Sequence, residues 1–201
     1  FYLPFVKEGT LTQAKTPEQV AAVLQTLALL TFLPLAPSLL ILTTCFTRIV
    51  IVLSFLRRAL ATQTLPPDQV LVGLSLFLTV FLMAPTWETA WNDGLKPFLE
   101  GQMDPGTGAR LGQEEMLRRV LAPNREFMFA CLEGNRGDEE LYFFLGVYGK
   151  PVEEGKTLKR EEVPTHVLIP AFITSELKRA FWMGFLLYLP FLVMDMVISS
   201  V

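Results

Sequence analysis

Four groups of residues have types and spacing that invite a chemical reading. The first is the stretch 149–157, because a phosphate-binding loop reads G-x-x-x-x-G-K-[ST] and Gly155, Lys156 and Thr157 supply its ending. Five residues separate Gly149 from Gly155 instead of four, and Glu153 and Glu154 set carboxylates where phosphate would sit. A solvated surface turn is expected there. The second is His166, the only histidine, which has no second His or Cys at ligand spacing, whereas zinc takes four ligands or three plus water. The third comprises the adjacent acids Glu139 with Glu140 and Glu153 with Glu154. General acid–base work needs a positioned carboxyl facing the reacting group, and neither pair is set opposite another acid, so both read as solvated charges. No catalytic residue, cofactor site or metal site is expected.

The fourth group consists of charges in apolar surroundings. Arg48 stands inside a long hydrophobic run, and an arginine at the centre of a spanning helix costs about 2.5–3.5 kcal/mol on insertion scales. Such a residue faces a partner or a water-filled cavity, unless it snorkels to an interface. Asp195 carries the same argument, and pairing within or between subunits would satisfy both. Glu176 and Lys178 flank a polar break at 175–179, where a helix would put Glu176 on the face of Arg179 or Ala180. An ordinary salt bridge is one reading. The other is a charged belt that locks neighbouring subunits in register.

The elements that must position these residues are those of a membrane protein. The chain of 201 residues is 51% hydrophobic and 18% charged, against about 25% charged in a typical soluble domain. A net charge of −3 and scattered Lys and Arg exclude nucleic acid as the expected partner. Cys45 lies in an apolar run and Cys131 in the polar middle, so both are expected to be unpaired. The chain opens at Phe1 without a basic leader, so a secretory signal is expected to have been removed or omitted.

Residues 1–19 read as a polar tail and 20–92 as hydrophobic helices with a first helical hairpin. Pro34 and Pro37 are expected to break the run 20–56, leaving one helix before Pro34 and another over 38–60. Pro66 and Pro67 stop that helix, and Asp68 is placed to cap the returning arm, 69–84, which ends at Pro85 near Trp87 and Trp91. Residues 93–162 hold 10 of the 17 Lys and Arg and 14 of the 20 Asp and Glu, which marks a soluble insert. Helices are expected over 111–121, over 124–132 closed by Gly134, and after a capping Asp138 with Leu141, Phe144, Leu145 and Tyr148 on one face. In 163–201 hydrophobicity returns, first over 167–175, too short to span, then over 180–201, long enough. The fold class is mainly α: membrane helical hairpins with a small helical extracytoplasmic insert domain.

Arg57 and Arg58 in the short loop favour the cytoplasmic side and leave the insert outside. Lys178 and Arg179 then begin the last hydrophobic run on the wrong side. This conflict suggests helices held by protein neighbours rather than threaded singly through lipid.

Two blocks resemble the FliP and type III export-gate family. One is Phe46-Thr47-Arg48-Ile49-Val50-Ile51-Val52-Leu53-Ser54-Phe55-Leu56-Arg57, continuing through Pro66-Pro67-Asp68-Gln69-Val70-Leu71 to Met83-Ala84-Pro85. The other is Pro170-Ala171-Phe172-Ile173-Thr174-Ser175-Glu176-Leu177, with Gly184 after six further residues. The order of the two around a variable insert makes the likeness specific. Thr47-Arg48-Ile49 and Ala61-Thr62-Gln63 look more like the flagellar branch than the virulence branch. Ala61 stands where glycine is common in the family.

The resemblance implies a bacterial inner-membrane protein of the flagellar basal body. Several copies assemble with two other small hydrophobic subunits into a pore for exported flagellar proteins, and the helices pack as a tilted cone raised partly out of the bilayer. Family members continue past the position of Val201 with a methionine-rich loop and a further hydrophobic stretch, so pore-sealing residues are not assigned within this chain. The candidate subunit-interface residues are Arg48, Arg57, Glu176, Lys178 and Asp195, with Phe172 and Gly184 allowing close helix approach. A virulence type III secretion subunit is one alternative. A small-solute transporter, with Arg48 and Asp195 binding solute near the midplane, is another, but it calls for inverted repeats and none is found. A membrane-bound enzyme is disfavoured for want of a nucleophile–base pair.

Overall fold

The computed structural model describes residues 6–7, 10–11, 17–60, 65–103, 108–134, 138–149 and 159–200. It divides into two compact units, Phe1–Leu40 and Ile41–Val201. In the first, strand β1 (Val6–Lys7) pairs antiparallel with β2 (Thr10–Leu11), Val6 opposite Leu11.

Helix α1 spans Pro17–Leu42 and runs through Pro34 and Pro37, so the expected break at those prolines does not occur. Each proline removes one backbone donor. The turns on either side of the two prolines keep their own helical hydrogen bonds, so the helix continues. The chain breaks instead at Thr43–Cys45. There Thr44 Oγ1 donates to the Ile41 carbonyl at 3.1 Å and accepts from the Phe46 N–H at 3.4 Å, a side chain standing in for the helical ladder.

In the second unit α2 (Phe46–Ala59) leads to α3 (Asp68–Ala90), which passes through Pro85 into a π-helical turn (Trp91–Leu95) and α4 (Lys96–Leu99). With 14 residues α2 is about 21 Å long at 1.5 Å per residue, short of a bilayer core. Arg48 therefore lies in the first turn of a short helix and not at the centre of a spanning one. Asp68 opens α3 without capping it; Pro67 is the flanking residue, and the Asp68 carboxylate pairs with Arg57.

The insert departs from expectation in one respect. The helices expected on either side of Pro123 are one, α5 (Gln113–Glu133), closed by Gly134 as expected. Helix α6 (Asp138–Val147) begins at Asp138, and a 3-10 turn (Arg160–Glu162) leads into α7 (Thr165–Ser199). The π-helical turn seats α5. A Cβ on Gly94 would lie 2.7 Å from Val120 Cγ2 and 2.8 Å from the Val120 nitrogen, so only glycine allows this approach.

Helix α7 is continuous for 35 residues through the stretch 175–179, which is not a break. Leu168, Phe172, Glu176, Ala180 and Gly184 recur every fourth residue along one buried line, so the polar stretch continues the face laid down by the apolar ones. Its first half completes a core with Met128, Phe129 and Leu132 of α5 and Leu141 and Leu145 of α6. Its second half, from Phe181 to Ile198, exposes its large apolar side chains. Helix α2 lies along α7 and against α3.

The structure is mostly helical. Two segments, Asp68–Leu99 and Thr165–Ser199, are long and apolar enough to cross a membrane.

Candidate functional site

Arg48 reaches across from α2 to α7. Its Nε donates to Glu176 Oε2 at 2.5 Å and its Nη2 donates to Glu176 Oε1, a two-pronged clamp on a carboxylate only 1% exposed. The same Nη2 donates to Cys131 Sγ of α5 at 3.6 Å, and Arg179 Nη1 stands 4.0 Å from Glu176 Oε1. One guanidinium thus joins α2, α5 and α7. Removing Arg48 would leave the buried Glu176 carboxylate with only the 4.0 Å contact to Arg179, and breaking a buried pair in this way costs about 3–5 kcal/mol. Burial, with the Glu176 carboxylate adding to it, pushes the Cys131 thiol up from its ordinary pKa.

The other candidate residues lie apart from this cluster. Gly184 meets Phe55 of α2, where a Cβ would stand 2.4 Å from Phe55 Cδ2, and Phe55 packs edge-on to Phe181 with centroids 5.9 Å apart. Phe172 is fully buried and packs edge-on to Phe127 at 5.9 Å. Arg57 Nη1 donates to Asp68 at 2.5 Å and to the Pro66 carbonyl at 3.2 Å, tying the two sides of the hairpin elbow. Lys178 Nζ lies 2.9 Å from Glu140 and 3.7 Å from Glu139, which fastens α7 to α6 and accounts for that acidic pair. Asp195 is exposed and forms no ion pair among the described residues; its carbonyl accepts from Ser199 Oγ at 2.7 Å.

Among the sequence features weighed for catalysis, His166 packs edge-on to Tyr148 with centroids 4.5 Å apart. Residues 150–157 of the phosphate-loop-like stretch lie outside the described residues. No group of three metal-ligating side chains occurs among the described residues. Cys45 and Cys131 are free thiols.

The chain is long enough in matched sequence to decide its family: residues 29–201 match the FliP family model. This chain belongs to the FliP family. Among its relatives, the flagellar biosynthetic protein FliP of Bacillus subtilis is 42% identical over 185 residues, covering 92% of this chain and 76% of that protein. The FliP of Cereibacter sphaeroides is 46% identical over 181 residues, 89% of this chain and 54% of that protein. The FliP of Treponema denticola is 40% identical over 199 residues, 99% of this chain and 68% of that protein. The chain thus spans between about half and three quarters of these relatives, and all seven candidate residues fall inside the FliP match.

Several positions in this FliP-family chain escape sequence reasoning. Cys131 gave no sign of contacting Arg48, since 83 positions separate them. A second tie, between α5 and the segment before α7, was also missed. Arg125 donates to the Val163 carbonyl at 2.9 Å and to Arg160 O at 3.2 Å, while Arg160 holds Glu133 at 2.6 Å and also pairs with Glu126. Both guanidiniums lie 5.7 Å from the Phe129 ring. The spacing of Glu126, Phe129 and Glu133 on one helical face was the only available signal.

Proposed function

We propose that this chain is a core membrane subunit of the bacterial flagellar type III protein-export gate, forming the wall of an oligomeric pore through which flagellar proteins pass. Its partners are further copies of itself and two other small hydrophobic export-gate subunits, and it acts as a structural component without catalysis or cofactor. The observation that carries this reading is the uncovered apolar surface of α3 and α7. Phe77, Phe81, Trp182 and Ile198 are each more than 60% exposed, and an apolar face of this extent marks a protein or membrane contact. The flagellar names of the relatives in three distant bacteria favour the flagellar branch over the virulence branch.

The insert between residues 93 and 162 is placed outside the cytoplasm. The orientation conflict raised by Lys178 and Arg179 eases in this arrangement. Both residues lie midway along α7, where the helix leaves the insert core, and their charges face Glu140, Glu139 and Glu176. The exposed stretch that follows, about 20 residues, has the length of one crossing. Arg48, Glu176, Phe172 and Gly184 serve assembly by fixing the shape that neighbours meet, while Arg57 at the elbow, Lys178 and the exposed Asp195 contact those neighbours directly.

Export in a flagellated bacterium deprived of its own FliP-family protein tests the reading. Supplying the protein that carries this chain restores secretion of flagellar proteins if the proposal holds. Unrestored secretion, with solute flux in liposomes containing this protein alone, would favour the transporter.

A further inference from the structure

Helices α3 and α7 each carry an apolar seam that the described residues leave exposed. On α3 it consists of Val70, Leu74, Phe77, Phe81 and Ala84, opposite the buried line Leu71, Ser75, Thr79 and Met83. On α7 it consists of Trp182, Leu186, Leu189, Val193 and Met196, opposite Gly184, where the buried line of that helix ends. Both rows advance by four, three, four and three residues, the 3.5-residue period of helices that pair knobs into holes. We propose that the α3 seam of one copy docks on the α7 seam of the next, a head-to-tail contact that repeats around the pore wall. The inference rests on the reading of the chain as an oligomeric subunit and names the two faces that meet.

Helix direction favours the match. Arg48 meets Glu176 and Phe55 meets Gly184, so α7 runs in the same sense as α2, while α3 is the returning arm of the hairpin and runs against both. Copies arranged around a common axis keep these senses, so α3 of one copy and α7 of the next meet antiparallel. With the rows in register, the smallest side chain faces the largest, Ala84 against Trp182. Phe81 then faces Leu186, Phe77 faces Leu189, and Val70 lies at the Met196 end. The two faces are unlike, so the contact is heterologous and adds copy after copy, whereas a contact of α3 with α3 would stop at a pair.

Area and pattern favour a second copy as the occupant. Phe77 is 67% exposed, Phe81 70% and Trp182 63%. Each seam offers roughly 500 Å² of apolar surface, and the two together reach about 1,000 Å², the size at which a specific protein contact begins. Lipid tails would cover apolar surface of any pattern. Matched 3.5-residue spacing and a small side chain opposite a large one are what a helix partner requires.

The test uses the protein carrying this chain, co-expressed with its proposed partner subunits and extracted in detergent. With p-benzoylphenylalanine in place of Phe81, irradiation should give an adduct with the mass of two chains, joined within 182–190 of the second copy by peptide mass spectrometry. Adducts to the second copy's α3, within one chain, or only to lipid or another subunit overturn the proposal. Ala84→Trp should lower the yield of oligomer about tenfold, the scale of one overpacked contact, and adding Trp182→Ala should restore most of it. Assembly of folded Ala84→Trp at the parent yield also overturns the seam, with the oligomeric reading left standing. Absence of any oligomer from the parent chain overturns the oligomeric reading itself.

Discussion

Arg48 Nε and Glu176 Oε2 lie 2.5 Å apart across 128 positions of sequence, joining the short helix α2 to the first half of the 35-residue α7. The pair converts two residues that are each costly in apolar surroundings into a fixed crossing of helices. Arg48→Ala should lower stability by about 3–5 kcal/mol, because the buried Glu176 carboxylate would lose its two-pronged partner, and Glu176→Ala should cost less, because Arg48 is partly exposed. The swap Arg48→Glu with Glu176→Arg should recover part of that loss. Thermal unfolding in detergent of the two single variants and the swap measures the coupling. Additive losses would mean that the two side chains do not act as a pair, and unchanged oligomer formation in the charge reversals would remove them from any role in assembly.

Gly184 and Phe55 are in contact to the exclusion of any added atom. Gly184→Ala places a methyl 2.4 Å from Phe55 Cδ2, and overpacking of this kind costs about 1–3 kcal/mol. Phe55→Leu in the same chain should return part of the loss by opening space. If Gly184→Ala alone unfolds at the parent temperature, α2 and α7 are not this close.

Cys131 offers a reporter of the same crossing. Its thiol is pushed up by burial and by Glu176, so the reactive thiolate is scarce at neutral pH. Alkylation followed by mass spectrometry should be slow in the native protein and rise to the rate of an ordinary thiol on unfolding. Rapid labelling of the folded protein at neutral pH would place Cys131 outside the cluster.

The polar insert has its own pH signature. Hydrogen bonds from Arg118 and Arg119 hold the Glu115 carboxyl down at about 2, below its ordinary 4.5. A depressed carboxyl adds stability that is present above the unfolded pKa and fades as pH falls through the folded one, here between about 4.5 and about 2. An NMR titration of Glu115 should therefore show a midpoint well below 4, moving upward in Arg118→Gln and further in the double variant with Arg119→Gln. A midpoint above 4 in the parent chain would dissolve the triad.

The helical character, the α2–α3 hairpin and the interest of Arg48 and Glu176 were legible in the sequence, because apolar periodicity and charges in apolar runs are local signals, whereas Tyr148, expected on the buried face with Leu141 and Leu145, lies past the end of α6 and is exposed. The helix ends near proline were not legible. Pro34, Pro37, Pro85 and Pro123 all lie inside helices. A propensity rule counts the one lost donor but not the hydrogen bonds that the rest of the helix keeps. The stretch 175–179 misled for a related reason. Ser175 and Glu176 are polar yet buried, and the partner that makes Glu176 acceptable is 128 positions away. Gly94 and Phe55 matter only through neighbours on other helices, which spacing within one element does not reveal.

Native mass spectrometry of the protein carrying this chain, co-expressed with the two small hydrophobic subunits proposed as its partners and extracted in detergent, tests assembly. A discrete mixed oligomer containing several copies of this chain is expected. A lone monomer, or a monomer carrying one stoichiometric small solute, would contradict it.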